Sequence, residues 1–388
     1  MTLFSRVFRK IRKELMLVVS IVAAIISLFI TPPSTDLLKA IDWHTLATLF
    51  MLLTVLEGFK QENIFMPIIR KTSSLGSMFS ITTFFVFAVF LSSMFVTNDV
   101  SLIIFVPLTI TLFRKGNKEK YILPVLTLEN IAAIRGSLLT PFGSPQNLFL
   151  FTQSGVSAGN FILHMFPLWI TSAVLLLIFI AFLYRKDIKE KIENNTSDEE
   201  LNHTITDKSK RKIKNTYKIS FIFLIIMIVS RTSYWPVFVA IITAVLLIID
   251  RKIFLKTDYI LLLTFLCFFI FSSSIAANPS ISAFLKNTVT GNEYWWSIGL
   301  SQIVSNVPAS IILWPFTENL TALLYGLDTA GLCSIIGSLA SVINYRIYTK
   351  ATPIKGSGKS FIKTFQIISL AFFAIVVVPQ YFLSVWQF

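Results

Sequence analysis

Apolar residues in this chain run in blocks rather than alternating with polar ones. The blocks at 15–30, 161–183 and 365–383 are each long enough, or nearly so, to cross a hydrocarbon core of about 30 Å at about 1.5 Å per residue. Further spans are expected at 41–59, 219–231, 235–249 and 257–277. Two blocks carry polar interruptions: Thr97, Asn98 and Asp99 break 76–113, and Ser305-Asn306-Val307-Pro308 breaks 293–324. Two more cannot stay helical throughout. The block at 121–151 contains Thr140-Pro141-Phe142-Gly143-Ser144-Pro145-Gln146-Asn147, and proline removes a backbone donor and clashes with the preceding turn. The block at 327–348 is broken near Asn344 and Arg346.

Lys and Arg cluster between the blocks, which orients them by the positive-inside rule. The N-terminus is basic from Arg6 to Lys13 and is expected in the cytoplasm, with 15–30 a retained first span, because no A-x-A-like cleavage site follows. Residues 61–69 read as a short interfacial helix. Basic residues flank both ends of 76–113 (Arg70 and Lys71 before, Arg114 and Lys115 after), so both ends are cytoplasmic. Two ordinary spans satisfy that, and so does a re-entrant hairpin with Asp99 at its tip. The polar segment 185–218 reads as a cytoplasmic linker. It separates a first half, 1–184, from a connecting span at 219–231 and a second half, 232–388. The C-terminus is expected outside.

Of 388 residues, 54% are hydrophobic and only 14% charged, more apolar surface than a water-soluble protein can hide. The net charge of +14 follows from the positive loops, so nucleic acid is not an expected partner. Cys267 and Cys333 lie far apart with no CxxC pattern, which argues against a disulfide framework or a cysteine metal site. No HExxH, GxSxG or nucleotide-binding motif is present, so neither an enzyme nor a self-contained primary pump is expected, and no cofactor. A channel or membrane-embedded enzyme is the reading from a different class.

The chain also repeats itself. Residues 95–107 align without gaps on 303–315, pairing Thr97 with Ser305, Asn98 with Asn306 and Pro107 with Pro315. Ile41-Asp42-Trp43 matches Thr257-Asp258-Tyr259, and Gly136-Ser137-Leu138 is matched to Gly337-Ser338-Leu339. The charge-derived topology gives the halves opposite orientation. An inverted repeat with polar breaks at matching places points to alternating access, and it favours hairpins over ordinary spans.

At these residues the sequence resembles the ion transporter superfamily of citrate-transporter-like, divalent-anion/sodium symporter, arsenite-efflux and sodium/proton antiporter permeases. Thr97-Asn98-Asp99 and Ser305-Asn306-Val307 look like its paired Ser-Asn-Thr hairpin tips. Residues 137–147 look like its Gly- and Pro-rich unwound helix. The resemblance implies an all-α polytopic protein of two inverted repeats, each with a re-entrant hairpin and a broken helix. It totals about nine full spans and two hairpins. It also implies a transport domain moving against a dimeric scaffold. The sequence departs from the pattern at Asp99, at Val307 and at Ser341-Val342-Ile343-Asn344, so a second sodium site and a dicarboxylate cargo are not implied.

The expected function is secondary-active transport of a small anion, a carboxylate or inorganic oxyanion, across the cytoplasmic membrane, coupled to H⁺ or Na⁺. Sodium/proton antiport and arsenite-type efflux are the alternatives. Thr97, Asn98, Asp99, Thr140, Gly143, Ser144, Asn147, Ser305, Asn306 and Asn344 are the expected substrate and ion ligands. Asparagine amides supply donors and acceptors together, and half-helix N-termini attract anions. Asp99 is the coupling candidate, with a transient Na⁺ at Asn98 and Asp99; its alternative is an N-cap for a helix over 100–113. Arg135 contacts the anion or neutralises Asp99 or Glu129. Glu57 and Arg346 read as interfacial, with a substrate contact the alternative for each.

Overall fold

The computed structural model describes residues 15–32, 35–62, 64, 77–185, 208–354 and 356–385. Their helices are α1 (Leu15–Ile30), α2 (Thr35–Ala40), α3 (Trp43–Gln61), α4 (Met78–Val96), α5 (Asn98–Lys115), α6 (Ile122–Ser137), α7 (Pro145–Ser154), α8 (Ala158–Leu183) and α9 (Lys208–Ser230). The second half continues with α10 (Trp235–Asp250), α11 (Tyr259–Ala277), α12 (Pro279–Val289), α13 (Glu293–Val304), α14 (Asn306–Leu313), α15 (Leu320–Ala330), α16 (Leu339–Ala351) and α17 (Ser357–Leu383).

Five of these, α4, α8, α9 from Lys212, α11 and α17, are long and apolar enough to cross a membrane. The chain is an all-α, multi-pass membrane protein. Side chains facing away from the core are large and apolar, among them Leu163, Ile178, Ile222 and Ile367. That surface suits hydrocarbon and would be costly in water.

Local chemistry sets most helix starts. Ser77, Ser157, Asn278 and Asn319 each accept a hydrogen bond from a first-turn amide, closing off donors that a helix leaves open. Asp42 and Asp258 cap α3 and α11 with nearly the same backbone, φ −77°, ψ 82° and φ −79°, ψ 83°. Both capped helices have 19 residues.

The two interrupted blocks each divide into two helices that contact one another. Thr97 alone separates α4 from α5, and Ser305 alone separates α13 from α14. At 12 and 8 residues, α13 and α14 reach only about 18 Å and about 12 Å, too short to cross a bilayer core. The matched prolines act differently. Pro107 is carried inside α5, whereas Pro315 falls in the 3-10 turn Trp314–Phe316 that ends the second interrupted block.

Several boundaries differ from expectation. The second interrupted block closes at Phe316, not 324, because Asn319 caps a new helix. The second broken helix therefore spans 320–351 rather than 327–348, and it unwinds at 331–338, ahead of Ser341 and Asn344. The last part of the expected linker, from Lys208, is helical and continuous with the 219–231 span; Tyr217 there donates to Asp250 Oδ2 at 2.9 Å. The rest of that linker beyond Arg185, the basic N-terminal segment, and all but Gln61, Glu62 and Ile64 of the expected interfacial helix lie outside the described residues.

Candidate functional site

Both tips adopt a conformation that L-residues avoid. Thr97 has φ 68° and ψ 155°; Ser305 has φ 71° and ψ 157°. That region is essentially reserved for glycine, and a β-branched residue there is a strong outlier held by its surroundings. Neither residue caps the helix that follows with its side chain; in α14 Asn306 N is taken by Gly337 O and Pro308 has no N–H, and in α5 Asp99 N is taken by Asn98 Oδ1. Both tips are buried, at 4% and 5% exposure.

Each tip is tied to the unwound stretch of its own half. Thr140 Oγ1 donates to Met94 O, three residues before the first tip, at 2.5 Å. Asn306 N donates to Gly337 O at 3.1 Å. The breaks are also built alike. A Cβ on Gly143 would sit 2.1 Å from Ser137 O, and one on Gly337 would sit 2.2 Å from Ala330 O, so the chain folds over the end of the preceding half-helix only where a glycine stands. The next residues, Ser144 and Ser338, are extended (φ −147° and −143°) and precede α7 and α16. The structure thus aligns Gly143-Ser144 with Gly337-Ser338. The sequence match of Gly136-Ser137 to Gly337-Ser338 was wrong by position. Gly136 instead lets α6 approach α4, where a Cβ would meet Phe90 O at 2.0 Å; Gly326 does the same for α15 against Tyr294 O of α13 at 2.4 Å.

The halves interlock across their breaks. The second arm α5 packs on α16, and the second arm α14 packs on α7. Asn130 Nδ2 of α6 donates to Ser341 Oγ at 2.9 Å, and Asn344 Nδ2 of α16 donates to Leu126 O at 2.8 Å. Asn344 therefore fastens two helices together, with its Oδ1 left unpartnered.

Polar atoms without partners gather at the expected positions. Ser305 Oγ, Asn306 Nδ2, Asn147 Oδ1 and Asp99 Oδ1 are all buried and unsatisfied. Ser144 Oγ accepts from Asn147 N at 3.3 Å, and Asn147 Nδ2 donates to Leu138 O at 3.3 Å. Asp99 lies in the first turn of α5, one residue past its start; Asn98 Oδ1, not Asp99, accepts from the nearby amide, at 2.9 Å. The N-cap alternative for Asp99 does not hold, because the helix begins at Asn98. The charged group that acts on Asp99 is Asp258 at the start of α11.

A cavity of about 430 Å³ runs between α1 and α11 on one side and α14 and α16 on the other. Ser305, Pro308, Asp258 and Arg346 are among its lining. It reaches the second tip; Thr97, Asn98, Thr140 and Asn147 do not line it. Among the described residues no hydrogen bond joins Asn98 to Asn306. Glu57 pairs with Lys60 at 3.1 Å near the end of α3.

Arg135 is fully buried. Its Nε donates to Ser172 Oγ at 2.8 Å and its Nη1 to Asp328 O at 3.4 Å. Asp328 and Gln146 escaped the reading of the sequence. Placing a span from 327 set Asp328 at a membrane boundary, where a carboxylate is cheap. Its position within the apolar run Leu320–Ala330 was the available signal, since an acidic residue inside a membrane helix is a functional candidate by default.

Comparison with known proteins bears on the same elements. A family model described as "Citrate transporter" matches residues 3–340. The chain belongs to the citrate transporter family. Relatives of this family member include "Inner membrane protein YbiR" of Escherichia coli K12, 30% identical over 79% of this chain and 80% of that one. "Uncharacterized transporter MJ0456" of Methanocaldococcus jannaschii is 29% identical over 80% of this chain and 83% of that one. "46 kDa membrane protein" of Mycobacterium leprae is 23% identical over 81% and 80%. The match of this citrate transporter family member covers both tips and the first break, and ends just inside α16.

Proposed function

We propose that this protein is a secondary-active transporter that moves a small anion, a citrate-type carboxylate first among the candidates, across the cytoplasmic membrane. In this reading the two halves are inverted repeats, α4–α5 and α13–α14 are re-entrant hairpins, and both termini face as the charge pattern orients them. The observation that carries the reading is the shared backbone of Thr97 and Ser305, one strained non-glycine residue opening a helix in each half. Strain of this kind persists at sites where function requires a fixed shape.

The chemistry follows from four helix starts, those of α5, α7, α14 and α16, that meet unwound backbone. Helix N-termini carry partial positive charge and attract anions. The unpartnered atoms Asn147 Oδ1, Ser305 Oγ and Asn306 Nδ2, together with the Asn98 amide, supply neutral ligands that release cargo readily. Carbonyl oxygens of the breaks suit a coupling cation, and Asp99 suits H⁺ or Na⁺ because a carboxylate inside a membrane is stabilised by either. The cavity beside Ser305 gives the cargo a route to the second tip, between α1 and α11, assigned in this reading to the scaffold, and α14 and α16, assigned to the moving part. The scaffold is assigned to a homodimer.

Reconstitution into liposomes with imposed H⁺ or Na⁺ gradients tests this, with citrate, succinate, phosphate and arsenite as cargoes. At least one anion is expected to accumulate under one gradient, and Asn98→Ala and Asn306→Ala are each expected to reduce uptake at least about 10-fold at normal expression. Such a loss is about 1.4 kcal/mol of binding or transition-state stabilisation. Unchanged uptake in both variants would reject the paired-tip site.

A further inference from the structure

Beyond the tips lies a second buried polar cluster that the transport reading does not use. Arg135 is the third residue from the end of α6, and Asp328 the third from the end of α15. These are equivalent places in the first halves of the two broken helices, and they carry opposite charges. Both side chains are buried, at 0% and 1% exposure. The field of a helix C-terminus favours the guanidinium and opposes the carboxylate.

The two groups stop short of pairing. No salt bridge joins them; Arg135 reaches the main-chain oxygen of Asp328 instead, at 3.4 Å. Gln146 Nε2 of α7 donates to Asp328 Oδ1 at 3.3 Å. Arg135 Nη2, Asp328 Oδ2 and Gln146 Oε1 are left buried with no partner. A permanently charged pair in this place would close up, because an unpartnered charge in a low-dielectric interior is strongly penalised. A carboxyl that alternates between neutral and ionised needs room to do so.

We infer that Asp328 is a proton-binding carboxyl of the transport cycle, with Arg135 as the counter-ion that it pairs with when ionised and leaves when protonated. The inference rests on the transporter reading above, and it adds to that reading a proton site separate from the hairpin tips. A metal cation fits less well, since it would sit beside a guanidinium with one carboxylate to share. The groups facing Asp328 are consistent with a single titrating partner. The other titratable side chains near it are Tyr294 of α13, whose hydroxyl donates to Val377 O, and Tyr325 of α15, whose hydroxyl donates to His164 O. Helix α7 offers neutral Gln146, α14 offers no titratable side chain, and α17 holds neutral Gln380, bonded to Thr329. Ser172 of α8 completes the shell around Arg135.

Infrared difference spectra of the full-length protein in lipid, taken between acidic and alkaline buffer with no cargo present, test the site directly. One protonated-carboxyl C=O component should titrate in the parent, be lost in Asp328→Asn, and survive in Glu129→Gln and Asp99→Asn. Arg135→Lys should shift the midpoint of that band, and the same band in unmutated protein should move on ¹³C-aspartate labelling even if a variant fails to fold. Proton-driven citrate accumulation should then be lost in Asp328→Asn. No component lost in Asp328→Asn, a midpoint unmoved in Arg135→Lys, or no aspartate-labelled component in the parent would each overturn the proposal. So would accumulation in Asp328→Asn that still follows the proton gradient. A parent that carries none of the test anions would instead count against the transporter reading, because the spectra require no cargo.

Discussion

Replacing the tip residues by glycine and by alanine inverts an otherwise general rule. At an ordinary position glycine is less stable than alanine by about 0.4–1 kcal/mol, because it surrenders more backbone freedom on folding. Thr97 and Ser305 are not ordinary: φ 68°, ψ 155° and φ 71°, ψ 157° put a Cβ where only glycine is comfortable. Such a conformation costs about 1–3 kcal/mol for any residue with a Cβ. Alanine keeps that cost and glycine removes it, so glycine should exceed alanine by about 1 kcal/mol at each tip after the entropy difference is subtracted. Thr83, inside α4 with its hydroxyl on Phe79 O at 2.8 Å, is the control, and there alanine should win by about 1 kcal/mol. The assay is thermal unfolding of the purified protein in detergent, followed by tryptophan fluorescence, for the six variants side by side. Glycine melting below alanine at both tips, as at position 83, would refute the claim that the tips are strained.

The glycines of the breaks give a related test. Gly143→Ala and Gly337→Ala should each destabilise by about 1–3 kcal/mol in the same melt, because the new methyl meets backbone oxygen at 2.1 Å and 2.2 Å, whereas Gly159→Ala, which meets nothing within 4 Å, should not. Glu293→Ala should cost about 1–3 kcal/mol, since Glu293 Oε1 accepts from the amides of Glu318 and Asn319, each at 3.2 Å, and their partner would vanish; an unchanged melt would contradict that role. Asp99→Asn should change the pH or Na⁺ dependence of uptake while leaving the melting temperature within the range of other conservative variants; the reverse pattern would make Asp99 structural.

Much of this fold was legible because lipid makes stringent demands on sequence. Apolar blocks gave the helices, and the paired caps Asp42 and Asp258 and the paired tips Thr97 and Ser305 matched in sequence before they matched in backbone angles. The breaks were harder. Gly143-Ser144 and Gly337-Ser338 follow second arms of different length, α5 with 18 residues and α14 with 8, so the downstream register was lost and the match fell on Gly136 instead. The second break lacks the prolines that flag the first, and its start was placed too late. That error moved Asp328 from the middle of the molecule to its edge and hid the Arg135–Asp328–Gln146 cluster, whose members are 193 and 182 residues apart along the chain.

Thiol labelling at the tips tests the account most directly. With Cys267 and Cys333 replaced by serine, single cysteines at Asn98 and at Asn306 would be exposed in intact membranes to a membrane-impermeant maleimide from each side in turn. Both tips should react from the same side in any one state, the reactive side should change when the driving gradient is reversed, and a transported anion should slow the reaction. Rapid labelling of either position from the same surface in every condition, indifferent to cargo, would contradict it.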